Sequence, residues 1–192
     1  NQAGTIVSTS ENDLNIDIAQ GVDFSQGKLL TNAKHLNLNT QGDFNNTDGL
    51  IQLGISTDQV TANDIDRHLT INANNVINDQ GVITTTGTQN NSVQINAQQN
   101  LSNQKGQIVT NGDLTAQANT IDNQSGTLSG GTATLTANTT INNGQGLIDA
   151  VQDLNIKSGD LNNQNATLQS REGNINLQAT GTLNNGTQSI DA

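Results

Sequence analysis

The chain repeats itself with a period near 20 residues, and that period constrains its fold more than any other feature. An apolar residue followed by two small polar ones recurs as Phe24-Ser25-Gln26, Phe44-Asn45-Asn46, Ile77-Asn78-Asp79, Leu101-Ser102-Asn103, Ile121-Asp122-Asn123, Ile141-Asn142-Asn143, Leu161-Asn162-Asn163 and Leu183-Asn184-Asn185. The spacings are 20, 33, 24, 20, 20, 20 and 22. Regular units with longer intervals confined to two places are the signature of a solenoid, in which each unit packs only on its neighbours.

Within the units apolar residues alternate with polar ones, as in Leu36, Leu38 and Thr40, Leu69, Ile71 and Ala73, or Ile175, Leu177 and Ala179. Period two predicts strands. A second short strand is marked by Gly-x-apolar: Gly27 before Leu29, Gly49 before Ile51, Gly81 before Ile83, Gly106 before Ile108, Gly126 before Leu128 and Gly146 before Ile148. In the last unit Ala166 takes the place of that Gly, before Leu168. Between the two strands lies an Asn- and Gly-rich corner, where both residue types enter left-handed backbone conformations at low steric cost.

Pro is absent, as expected where every strand N–H is needed for pairing between rungs. No segment carries the apolar spacing of a helical solenoid. The expected fold is all-β: a right-handed parallel β-helix with coils of about 20 residues, its hand taken from crossover chirality. Stacking at the strand spacing of about 4.8 Å would place Asn46, Asn103, Asn123, Asn143, Asn163 and Asn185 in one side-chain amide ladder.

Only 31% of the chain is hydrophobic and 1% aromatic, too little for a broad core but enough for a thin aliphatic file. The net charge of −11 argues against a nucleic-acid partner, which needs a basic face. There is no signal segment and no apolar run of membrane-spanning length, so membrane insertion is not expected. The absence of Cys removes disulfides, thiolate metal sites and cysteine nucleophiles. The whole of 1–192 is expected to be a single β-helix segment of a longer protein.

The run from Leu101 to Gly146 resembles the haemagglutinin repeats of filamentous haemagglutinin and of the large exoproteins of two-partner secretion, including contact-dependent growth inhibition effectors. The family pattern is matched by Ile121, Asn123, Gly126 and Leu128 and by the preceding Gly112-Asp113-Leu114, Ala116 and Ala118. The resemblance runs from about Phe24 to Asn185 and is weaker across 52–68 and 85–92. It implies a secreted protein or one displayed on the bacterial cell surface, exported unfolded through an outer-membrane two-partner secretion transporter and folding as it emerges. Adhesion and growth inhibition both remain open.

Three features are candidate sites. The interval between the two strands is 6 residues from Ile108 to Leu114, but 18 from Ile51 to Leu69 and 10 from Ile83 to Val93. Insertions at about 52–68 and 85–92 are thus expected to protrude side by side from one edge, carrying Asp58, Gln59, Asp64, Asp66, Thr85, Thr86 and Gln89. They form either a binding surface for a cell-surface receptor or glycan, or surface loops tolerated because loop-closure entropy grows slowly.

The second feature is Lys34-His35-Leu36 and Arg67-His68-Leu69, equivalent on adjacent coils, with Asp13 in the same column one coil earlier. This is either a pH-sensitive or weak metal-binding cluster, or a solvated column. The third is Thr abundance, which does not form the sustained outward array an ice-binding face requires and reads as strand propensity.

No catalytic, cofactor-binding or metal motif is present. Glu11 and Glu172 lie near opposite ends, and Asp113 and Asp153 are two coils apart on the outside, so a carbohydrate-active enzyme is the least favoured reading. The sequence supports first a structural shaft, and second a binding module built on the insertions.

Overall fold

A computed structural model describes residues 1–55, 65–88, 90–186 and, for the backbone alone, 190–191. The chain is all-β, with parallel strands stacked in about eight turns of a β-solenoid and no helix among the described residues. Each coil supplies three short strands. Those of the first kind are Thr5–Ser8, Lys28–Thr31, Leu50–Leu53, Val82–Thr85, Gln107–Val109, Thr127–Gly130, Leu147–Ala150, Thr167–Ser170 and Ile190–Asp191, stacked in that order.

The second kind comprises Leu14–Ile18, His35–Thr40, His68–Ala73, Ser92–Ala97 and their continuations, and the third begins with Val22–Asp23, Phe44–Asn45, Val76–Ile77 and Asn100–Ser102. Asp113–Asp122 and Thr132–Asn142 run through both kinds and join them in a second sheet.

Alternation decides what faces inward. Leu29, Ile51, Ile83, Ile108, Leu128, Ile148 and Leu168 pair in successive coils and are fully buried. Leu36, Leu69, Val93, Leu114, Ala133 and Leu154 form a second such file. A core of a few side chains per coil suffices because each coil buries its apolar edge on the coils above and below.

Two of the eight sequence anchors fall out of column. The anchor file runs through Val22, Phe44, Val76, Leu101, Ile121, Ile141, Leu161 and Leu183, so the first and third coils hang on Val22 and Val76 rather than Phe24 and Ile77. In those coils the strand is two residues long, and parity rests on a single side chain. Val76 is buried while Ile77 faces out, and Phe24 instead fills the position below Asn46, its ring tilted at 48° against Phe44 with centroids 5.9 Å apart.

The corner also differs from expectation. The left-handed residue is neither the ladder Asn nor the Gly but the one before the Gly: Ala3 (φ 52°), Gln26 (56°), Asp48 (54°), Gln80 (58°), Lys105 (57°), Ser125 (55°) and Gln145 (60°), and, before Ala166, Asn165 (53°), the one Asn among them. A non-glycine residue there costs about 1–2 kcal/mol, and the neighbouring coil holds it in place. The Lys105 N–H donates to the Gln124 carbonyl at 2.9 Å and that of Ser125 to Gly144 at 3.0 Å. The Gly avoids crowding with the backbone, since a Cβ on Gly106 would lie 2.1 Å from the Asn78 carbonyl oxygen and one on Gly126 2.1 Å from that of Asn103, although one coil accommodates Ala166 at the equivalent place.

Strand boundaries trim both insertions. Residues 52 and 53 belong to Leu50–Leu53, residue 68 to His68–Ala73, residue 85 to Val82–Thr85 and residue 92 to Ser92–Ala97. Thr85 is therefore not on a protrusion. It follows Ile83 by two, so it faces the lumen, buried, with its hydroxyl 2.7 Å from that of Thr110.

Candidate functional site

The outward column at the start of the second-kind strands gathers chemistry that the thin core cannot hold. His35 pairs with His68, His68 with Ser92, and Ser92 with Asp113, while Asp13 precedes Leu14, the partner of Leu36. The two imidazoles stack with centroids 5.2 Å apart and planes inclined by 21°. His35 Nδ1 lies 2.8 Å from Asp13 Oδ1, and His68 Nδ1 lies 2.8 Å from Ser92 Oγ. An ionised carboxylate only accepts, so His35 donates its Nδ1–H to Asp13, and in the neutral ring that leaves the lone pair on Nε2. About half of the His35 side chain is exposed.

The edge where both long connections depart is ordered at its base. Thr86 N–H donates to the Leu53 carbonyl at 2.8 Å, and its hydroxyl donates to the Gly54 carbonyl at 2.8 Å, so Thr86 clamps one connection to the other. The Thr88 hydroxyl donates to Asp66 Oδ1. Asp58, Gln59, Asp64 and Gln89 lie outside the described residues.

Arg67, read from the sequence only as the neighbour of His68, is the largest fully buried side chain among the described residues. It donates from Nη1 to the Asn32 carbonyl at 2.9 Å, and its own N–H is held by Asn91 Oδ1 at 2.8 Å. Desolvation pulls its pKa below the usual guanidinium value, opposed by the charge of Glu11. Its parity against outward His68 and inward Leu69 was the available signal.

Asp149 was missed for a different reason. It is 2% exposed because Arg171, two residues beyond the next strand's Gln169, folds back over it, donating from Nε to Oδ1 at 3.1 Å and from Nη2 to Oδ2 at 2.5 Å. A side chain that reaches back across one coil leaves no trace in strand periodicity.

Other carboxylates serve the scaffold. Asp153 Oδ1 accepts the Asn174 N–H at 2.8 Å, Asp160 Oδ1 that of Thr182 at 2.7 Å, and Glu172 accepts from the Gln152 amide at 3.0 Å. Among the described residues no group of three or more His, Cys, Asp or Glu is arranged to hold a metal ion, and no helix is long and apolar enough to cross a membrane.

The interior carries a continuous file of Asn side chains. Asn46, Asn78, Asn103, Asn123, Asn143, Asn163 and Asn185 are linked by amide hydrogen bonds of 2.7–2.8 Å, each Nδ2 donating to the next Oδ1. Asn78 joins the six residues expected from the sequence. Asn46 Oδ1, with Phe24 below it, is buried without a partner.

The model of the Haemagglutinin repeat family matches residues 1–66, 49–105, 102–148 and 129–191. No curated protein and no solved structure matches the chain.

Proposed function

The chain belongs to the haemagglutinin repeat family, and from that membership we propose that it is a length of shaft in a secreted, surface-displayed bacterial filamentous exoprotein. Its work is reach: it holds an adhesive or growth-inhibiting element away from the cell. The observation that carries the reading is the unbroken amide file from Asn46 to Asn185, which fixes the coils it crosses in vertical register and leaves length as the variable. Each coil adds about 4.8 Å to the rod. The exporter on this reading is an outer-membrane transporter of the two-partner type. A chain without Cys or Pro suits it, since neither disulfide formation nor prolyl isomerisation delays folding on emergence.

The structural role favours no catalysis, the carboxylates described above being engaged as scaffold acceptors. A second reading, contact with a receptor or glycan through the two long connections, is supported by the Thr86 to Gly54 clamp that brings their bases together. The test is made in the exoprotein that carries this chain. Deleting 104–143 removes two 20-residue coils and joins Asn103 to Gly144 in register; a shaft tolerates this, with export and attachment retained. Loss of attachment with export intact would contradict the shaft. If the same loss follows only from replacing 56–64 by a short linker, the second reading takes its place.

A further inference from the structure

We propose that His35 and His68 form a two-imidazole site for a borderline divalent transition-metal cation of the Cu²⁺, Ni²⁺ or Zn²⁺ class, each ring ligating through Nε2. The argument begins with the register. Parallel pairing puts the two residues on adjacent rungs facing the same way, and the rings stack at 5.2 Å. Both Nδ1 atoms are engaged, one by the Asp13 carboxylate and one by the Ser92 hydroxyl, each at 2.8 Å. At His35 this is the second layer metal-ligating imidazoles use, an Nδ1–H donated to a carboxylate that orients the ring and raises the basicity of Nε2, and at His68 the Ser92 hydroxyl accepts from Nδ1 in the ligating tautomer.

The ligand type selects the ion. Imidazole suits Cu, Ni and Zn, whereas Mg²⁺ and Ca²⁺ take oxygen donors. Metal–nitrogen distances of about 2.0–2.1 Å bring two ligating nitrogens to about 3.0–3.4 Å, closer than the present ring spacing. The half-exposed His35 ring has room to tilt toward its partner. The remaining coordination positions go to water, so the site is open and its affinity is that of two ligands. Asp13 lies one rung from His35 and Asp113 two rungs from His68, both offsetting the charge of the ion, while Lys34 lies beside His35 and Arg67 precedes His68. Binding weakens on acidification, since protons compete for the same lone pairs.

The test uses the whole chain and Cu²⁺ alone, by calorimetry and electron paramagnetic resonance at neutral pH, with Mg²⁺ as control. The expected result is one Cu²⁺ per chain with two nitrogen ligands in the spectrum. Affinity should fall at least tenfold in His35→Gln and in His68→Gln, and about tenfold in Asp13→Asn, whose ligands are intact. All three positions are on the surface, and unchanged circular dichroism confirms folding. Equal Cu²⁺ affinity in the wild type and in the His35→Gln/His68→Gln double variant, or one nitrogen in the wild-type spectrum, overturns the proposal.

Discussion

Asn46 Nδ2 donates to Asn78 Oδ1 across 2.7 Å, although 32 residues of chain separate them. The coil between them is the one that carries the longest connection, and the amide file crosses it without a break. The same bond recurs at 2.7 Å between Asn103 and Asn123 and between Asn123 and Asn143. From Asn46 to Asn163 each amide also donates to the carbonyl three residues on, as Asn123 does to Gly126 at 3.2 Å.

Removing one link should be costly because it orphans a neighbour. Asn123→Ala strips the buried Asn143 Oδ1 of its donor and leaves a void. The expected loss is about 2–4 kcal/mol, from the cost of an unsatisfied buried group and the lost bonds. Asn155→Ala removes only an outer-surface bond, Asn176 to Asn155 at 2.8 Å, and should cost under about 0.5 kcal/mol. Urea unfolding followed by circular dichroism compares the two.

At the corner the order of sensitivity should run against residue-type intuition. Gly126→Ala places a Cβ 2.1 Å from the Asn103 carbonyl and is expected to cost about 1–3 kcal/mol. Ser125→Gly, at φ 55°, relieves left-handed strain while adding freedom to the unfolded chain, and should leave stability within about 1 kcal/mol of the wild type. Thermal unfolding midpoints of both variants decide it.

These corners show where sequence reading succeeds and where it stops. The aliphatic files were legible because strands of four or more residues state their parity twice over: Leu36 and Leu38 fix the pairing with Leu69 and Ile71. The two-residue strands at Val22 and Val76 do not, so neighbouring Phe24 and Ile77 competed for the anchor and Asn78 was left out of the ladder. The pairing of His35 with His68 was legible from the equivalent Lys-His-Leu and Arg-His-Leu triplets. The Asp149–Arg171 pair was not, because side-chain reach is unrelated to backbone period.

Arg171→Ala should uncover a carboxylate that Ser129 also contacts, at 3.1 Å from Oδ2. Water reaches Asp149 once the half-exposed Arg is gone, so the loss is expected to be about 1–2 kcal/mol, below that of a fully enclosed pair. A double-mutant cycle with Asp149→Asn measures it: the arginine substitution should cost measurably less in the Asp149→Asn background.

Acid should loosen the first coils through Asp23. The Ser25 side-chain and backbone hydrogen bonds, then the Gln2 amide and the terminal amine, hold its carboxyl below the ordinary value of 3.8, against desolvation. A depressed folded pKa gives stability that is present above the unfolded pKa, about 3.9, and lost as pH falls through the folded one. Protection of the Ser25 amide from exchange, relative to its intrinsic rate, should fall below about pH 4, since its N–H donates to Asp23 Oδ1 at 2.9 Å. In Asp23→Asn that added acid sensitivity should disappear.

The vertical register itself is tested by electron–electron spin distances along one outward column. Asn37, Thr70, Gln94, Thr115, Thr134, Asn155 and Asn176 occupy successive rungs. Label pairs at Asn37 with Thr134, Asn155 and Asn176 should give narrow distributions near 19, 24 and 29 Å, rising by about 4.8 Å per coil whatever the number of residues between. Distances that follow residue separation instead, or that fail to lengthen coil by coil, would contradict the solenoid.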